Sequence, residues 1–268
     1  MTLSFVLYLF LAHLGIGIVC TLALVGKTAG VKFFRFNAGF AAVLLLVALA
    51  MRPDDVRMGR DAQGVALALL IASTTVTLVY WATVGRVLAR LRPVWVGLAI
   101  VCGGAALMAQ AVAATAGATL SVTVLTAASF VTSAALLGGT STAMILGHWY
   151  LVLPSMEVSL LQSIVKFHIG STALRIAVVS VAVWWAIVAA ELPGVGFERY
   201  IFSIDGVFFW QRVLFGLLGP VVLAYMTWET AKIRSTQSAT GILYVDFFTV
   251  IVGEVLAKYL LVATTVPV

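Results

Sequence analysis

Long, unbroken runs of apolar residues occupy most of the chain, and short polar stretches separate them. A helix needs about 20 apolar residues to cross roughly 30 Å of hydrocarbon, whereas a strand of a membrane barrel alternates apolar and polar residues over about ten. A continuous run favours the helix, which satisfies its own backbone hydrogen bonds in lipid. The pattern therefore predicts an all-α bundle of about eight transmembrane helices. The predicted spans are about 2–26, 35–51, 65–85, 94–116, 119–148, 158–190, 207–231 and 239–263.

The composition predicts a multi-pass integral membrane protein whose main partner is the lipid bilayer. Of the 268 residues, 63% are apolar and 10% are charged. Soluble domains average roughly 45–50% apolar and about 25% charged residues, so this chain has too few charges to cover a surface facing water. The 16 Lys and Arg residues form no long basic cluster, which argues against nucleic-acid binding. Without a Pro-rich or Ser-rich linker, residues 1–268 are predicted to form a single transmembrane domain.

The loop charges predict the orientation, because Lys and Arg accumulate in cytoplasmic loops. With the N-terminus outside, the inner loops carry eight of these residues and the outer loops carry four. The inner residues are Lys27, Lys32, Arg35, Arg86, Arg90, Arg92, Lys232 and Arg234, and the outer residues are Arg52, Arg57, Arg60 and Arg199. We therefore expect both termini outside, in a bacterial inner membrane.

Ionisable residues within the spans concentrate in the second half, which places the predicted polar site within 119–263. Each costs about 2.5–3.5 kcal/mol to insert, so such residues usually face the protein interior, a partner or a wet cavity. The rise of about 1.5 Å per residue predicts two clusters at different depths, with His168 between them. The outer cluster contains Arg175, Arg212, Glu254 and Lys258, and the inner one His148, Lys166, Glu229 and Asp246. The outer cluster either fixes helix register through salt bridges or forms part of a transport path.

The end of the fifth span predicts a quinone site. His148, Trp149 and Tyr150 arrive together at the membrane boundary, after the small residues Gly138 and Gly139. An imidazole beside aromatic rings suits a flat ligand with carbonyl groups. Lys166, Glu229 and Asp246 are predicted to exchange protons at the same pocket. The alternative is an interfacial aromatic belt that happens to contain a histidine.

The three histidines allow at most one bis-histidine haem b. His13 and His168 are the predicted ligands because both lie near mid-membrane, and Arg175 is the predicted partner of a propionate. The alternative is that each histidine is a hydrogen-bonded helix contact. Cys20 and Cys102 occur singly, so no metal site is predicted.

Two functions follow from these patterns. The first is a quinone-interacting membrane subunit of a respiratory-type electron-transfer complex, with other redox subunits as its partners. The second is a secondary transporter or proton-coupled channel that uses the charged residues of the last four helices. In architecture, the eight spans, the polar second half and the nearly loopless build resemble the quinol-interacting anchor subunits of bacterial respiratory complexes. That resemblance implies the membrane part of an oxidoreductase.

Overall fold

The computed structural model describes residues 3–53, 59–86, 89–153, 156–188 and 197–268. Arg57 and the end of the predicted sixth span, from 189 onwards, lie outside the described residues. Within the described residues, eight helical segments are long and apolar enough to cross a membrane, which confirms the predicted all-α bundle.

Six of these spans come first in the chain and are single helices. They are α1 (Leu3–Leu22), α2 (Gly30–Ala50), α3 (Ala62–Thr83), α4 (Arg92–Ala114), α5 (Leu120–Val152) and α6 (Val158–Val188). A short helix, α7 (Phe197–Ile201), precedes the seventh span. That span combines α8 (Val207–Val213), a π-helical turn at Leu214–Leu218 and α9 (Gly219–Lys232). The eighth span is α10 (Thr236–Thr264).

The first helix lies at the centre of the bundle. Of its most apolar stretch, 78% is buried, against 33–50% for the other seven spans. It packs against α2, α4, α5 and α10, so protein surrounds it on most sides. A helix that is apolar around its whole circumference is suited to such a buried position.

Small residues bring α1 and α5 into backbone contact. A side chain added at Gly17 would collide with the Ala134 carbonyl, and one added at Gly138 would collide with the Gly17 backbone. One turn away, the hydroxyls of Thr21 and Thr142 are 2.5 Å apart. Close approach of this kind is typical of small residues between membrane helices. The contact joins the first half of the chain to the second.

The last four spans form a closed ring of neighbours. In this ring α5 packs against α6, α6 against α9, α9 against α10, and α10 against α5. The helices α6 and α10 therefore lie on a diagonal, with their facing side chains in the core of the ring. They run parallel because one span separates them in the chain. Cores of four-helix bundles are common places for polar sites.

Candidate functional site

Glu254 on α10 is the centre of a fully buried charge cluster. Its Oε1 accepts hydrogen bonds from Arg175 Nε at 3.0 Å and from Arg212 Nη2 at 2.8 Å. Its Oε2 accepts hydrogen bonds from Arg175 Nη2 at 3.2 Å and from Ser133 Oγ at 2.5 Å. Lys258 Nζ lies 3.6 Å from the same oxygen. The structure thus brings together the four residues of the predicted outer cluster.

Further contacts hold the cations of this cluster in place. Arg175 Nη1 donates to the Ser129 hydroxyl at 2.7 Å, and Arg175 Nη2 donates to the Val268 carbonyl at 3.2 Å. Lys258 Nζ donates to Ser133 Oγ at 2.7 Å. Ser129 and Ser133 are four residues apart and share one face of α5. Sequence analysis missed both serines, although their helical spacing was a visible signal.

Several cations share one side-chain carboxylate in this cluster. Within the described part of the chain, three cations surround the single carboxylate of Glu254. Arg212 is fully buried, and its Nε and Nη1 atoms have no hydrogen-bond partner among the described residues. Because unpaired charge is costly to bury, the carboxylate is essential to the cluster as a counter-charge. The arrangement is a network of charges rather than a simple ion pair.

A second polar contact connects α6 and α10 about two helical turns before the Glu254 cluster. His168 Nε2 is 2.7 Å from Asp246 Oδ2, and both side chains are fully buried. The Thr140 hydroxyl donates to the same Asp246 oxygen at 3.3 Å. The approach is close, but His168 Nε2 forms no hydrogen bond in this geometry, and His168 Nδ1 and Asp246 Oδ1 also lack a partner among the described residues. This pair joins Asp246, predicted in the inner cluster, to His168, predicted to stand between the clusters.

The two polar contacts lie on the same pair of helices, with similar residue spacings on each helix. On α6, His168 and Arg175 are seven residues apart, and on α10, Asp246 and Glu254 are eight apart. Since the helices are parallel, each pair meets at its own level, with about 10 Å between the levels. We call the His168–Asp246 contact the inner level and the Glu254 cluster the outer level.

Aliphatic side chains separate the inner level from the outer level. Leu137 on α5 and Val250 on α10 lie between the two levels in sequence, and both are fully buried. Thr172 occupies the corresponding position on α6, where its hydroxyl donates to the His168 carbonyl. The two levels are therefore distinct clusters and are not joined by a chain of hydrogen bonds among these residues.

The predicted inner cluster does not assemble as expected. Lys166 is exposed and lies 5.2 Å from the Trp228 ring, whereas Glu229 pairs with Lys232 at 2.7 Å on the surface. Asp246 instead points into the core of the ring. The prediction used depth alone, and depth does not fix the direction in which a side chain leaves its helix.

The aromatic group at the end of α5 also points in several directions. His148 is exposed, and its Nδ1 lies 2.8 Å from the hydroxyl of Tyr244. Trp149 packs against Phe33, with the ring centroids 6.0 Å apart. Tyr150 is buried, and its hydroxyl donates to the Glu157 carbonyl. Of the three predicted residues, His148 alone is exposed.

The predicted haem ligands do not fit a haem between them. His13 on α1 has its ring 4.6 Å from Phe130 of α5, and its Nδ1 is 3.5 Å from Ser133. His168 on α6 faces Asp246, and α5 contacts both α1 and α6. His13 lies near Ser133 of α5 and the His168 backbone lies near Gly139, so the two histidines are at different depths along α5, and the Arg175 guanidinium is bound to Glu254. Among the described residues, no group of His, Cys, Asp and Glu side chains forms a candidate metal site.

The interpretation of the candidate sites rests on the contacts described above. The two polar levels in the core of the ring and the His148–Tyr244 contact on its surface are the candidate sites. The sequence matches no protein-family model, and the comparison with curated proteins finds no match.

Proposed function

We propose that the protein carries protons across the membrane, as a proton-coupled transporter or channel. The observation that carries this proposal is the buried His168–Asp246 contact of 2.7 Å in the core of the last four spans. An imidazole and a carboxylate can exchange a proton, and the ordinary pKa of histidine lies near neutral pH. Ionisable residues inside membrane spans commonly mark proton or substrate paths.

The inner level suits proton exchange better than the outer level does. Protonation of Glu254 would leave Arg175, Arg212 and Lys258 without their counter-charge, which is costly in a buried cluster. Among the described residues, Asp246 has neither a Lys nor an Arg within salt-bridge distance. We therefore assign the exchange to His168 and Asp246 and a fixed electrostatic role to the outer level.

Because aliphatic residues lie between the two levels, proton transport requires a conformational step. Leu137 and Val250 block a direct proton transfer over about 10 Å, so water must enter or the helices must shift during each cycle. The helices α6 and α10 could shift in this way, because the side-chain pairs His168–Asp246 and Arg175–Glu254 connect them across the core of the ring. Movement of one relative to the other would open and close that contact.

Proton flux into liposomes tests the proposal. The purified protein is reconstituted with a pH-sensitive dye inside, and a potassium gradient with valinomycin drives proton entry. We expect Asp246→Asn to reduce the flux about tenfold or more, because the amide keeps the shape but cannot exchange protons. His168→Gln should have a similar effect. The matched control is Glu229→Gln, which changes an exposed carboxylate of α9 and should leave the flux unchanged.

Thermal unfolding of each variant in detergent separates loss of function from loss of fold. Asp246→Asn with an unchanged melting temperature and a reduced flux supports the proposal. Wild-type flux equal to that of empty liposomes would contradict it, as would full flux in a folded Asp246→Asn variant.

A second candidate is a quinone-interacting subunit of an electron-transfer complex, with other redox subunits as partners. The observation that favours it is the exposed contact between His148 and Tyr244, whose imidazole and hydroxyl can both donate to a carbonyl oxygen. A quinone could reach this surface from the bilayer. Quinone extraction and an optical spectrum distinguish the candidates: bound quinone that is lost in His148→Ala supports the second, and a quinone-free protein with proton flux supports the first.

A further inference from the structure

A groove opens at the inner end of the first half of the bundle, far from the polar levels in sequence. It lies between the end of α1, the connection to α2 and the start of α4, and has a volume of about 380 Å³. Binding sites for small molecules span about 300–1,000 Å³. The residues of this groove that matter here are Leu22, Lys27, Arg92, Val96, Gly97 and Ile100.

Two cations of the groove provide its polar part. Lys27 is exposed, and Arg92 is half-buried. The guanidinium of Arg92 is held in place, since its Cζ lies 3.5 Å from the centre of the Phe34 ring and its Nη2 donates to the Leu22 carbonyl at 3.4 Å. A guanidinium has five N–H donors, so Arg92 can still offer a pair of donors to an anion.

The two connections that line the groove are basic. Residues 23–36 and 84–95 also contain Lys32, Arg35, Arg86 and Arg90, and they contain neither Asp nor Glu. A basic face at a membrane boundary attracts anionic lipids, and basic pockets between membrane helices bind their headgroups.

The rest of the groove is apolar. Val96 is buried on the side of α4 that lines it, and Ile100 lies one turn further along the helix. Leu24, which also lines the groove, is half exposed at 50%. Cations at one end and aliphatic residues at the other match a phosphate with an attached acyl chain.

We propose that this groove binds an anionic phospholipid from the adjacent leaflet. Arg92 takes two phosphate oxygens as a bidentate donor, and Lys27 adds a second positive charge. The acyl chain follows Val96 and Ile100 along α4. A zwitterionic lipid carries its own cation beside the phosphate, so it binds more weakly.

Native mass spectrometry of the full chain tests this site. Delipidated protein is titrated with phosphatidylglycerol and, separately, with phosphatidylcholine. We expect the wild type to bind phosphatidylglycerol preferentially and Lys27→Ala to weaken that binding. Arg92 also packs against Phe34, so replacing Arg92 would change helix packing as well as lipid binding. A variant that keeps both cations and fills the groove is therefore more informative.

Gly97→Leu is that variant. A side chain added at Gly97 meets nothing within 4 Å, so it fills the groove without disturbing the helix packing. We expect phosphatidylglycerol binding at least about tenfold weaker, because the leucine occupies the space of the lipid. Gly104→Leu is the matched control: it lies seven residues further along α4, outside the groove, and its added side chain also meets nothing within 4 Å. This control should bind like the wild type.

A second control separates a defined site from general surface charge. Lys32 is exposed on the same side but does not line the groove, so Lys32→Ala should have little effect. The proposal is overturned if Gly97→Leu binds phosphatidylglycerol as the wild type does, or if Lys32→Ala weakens binding as much as Lys27→Ala. Equal binding of the two lipids by the wild type would also overturn it.

Discussion

Glu254 has more cations in contact with it than any other carboxylate in the described part of the chain. Two guanidinium groups donate to it, an ammonium lies 3.6 Å away, and a serine hydroxyl completes its contacts. The free energy of unfolding depends on this carboxylate, because the cations around it are buried and an unpaired buried cation is costly. The cluster is therefore sensitive to the loss of its single negative charge.

We predict that Glu254→Gln destabilises the protein by about 3–5 kcal/mol, the usual cost of breaking a buried ion pair from one side. The amide keeps the size of the side chain but leaves Arg175, Arg212 and Lys258 without a counter-charge. Thermal or chemical unfolding in detergent measures the change. Glu229→Gln is the control, since its pair with Lys232 is exposed and contributes less than about 1 kcal/mol. Equal stabilities of the two variants would show that the cluster does not hold the fold.

At the scale of the helices, the irregular part of the seventh span adjoins the outer level. Arg212 lies in the last turn of α8, which ends at Val213, and the π-helical turn at Leu214–Leu218 follows α8 directly. Pro220 lies just beyond this turn, and proline cannot donate a backbone hydrogen bond to the preceding turn. Within the turn, Gly216 touches Gly253 of α10, and a side chain on Gly216 would collide with the Arg212 guanidinium. The glycines therefore let α10 approach closely enough for Arg212 to reach Glu254.

The contact between α1 and α5 yields a prediction for these elements. Gly17→Ala should destabilise the protein by about 1–3 kcal/mol, because overpacking forces two backbones apart. The obstructing atoms belong to the Ala134 carbonyl, which cannot move aside like a flexible side chain. The control is Gly170→Ala on α6, where an added side chain meets nothing within 4 Å. Unfolding in detergent should give a lower melting temperature for Gly17→Ala only; equal temperatures would mean that the contact adapts freely.

Across the whole molecule, the eight spans alternate in direction about the central helix α1. The loop charges predict that Ser203, before the seventh span, is outside and that Ser238, at the start of the eighth, is inside. Both residues are exposed, so single cysteines at these positions report on sidedness.

Labelling of intact cells tests this orientation. In a background with Cys20→Ala and Cys102→Ala, a membrane-impermeant maleimide should label Ser203→Cys directly. It should label Ser238→Cys only after permeabilisation. Labelling in the opposite order would reverse the predicted orientation, and with it the leaflet that contacts Lys27 and Arg92.

The sequence alone determined the number and approximate position of the spans, because hydrocarbon thickness and backbone hydrogen bonding leave a long apolar run few alternatives. It also grouped Arg175, Arg212, Glu254 and Lys258, since their depths agreed. Depth is a one-dimensional property that can be counted along the chain.

Only the tertiary structure decided which residues face one another. It paired His168 with Asp246, turned His148 towards Tyr244 on the surface, and placed His13 and His168 at different depths along α5. These outcomes depend on helix rotation and on which spans are neighbours. Rotation and neighbours are fixed by packing between distant segments, such as the Gly17–Gly138 contact, and single-span hydropathy contains no information about them.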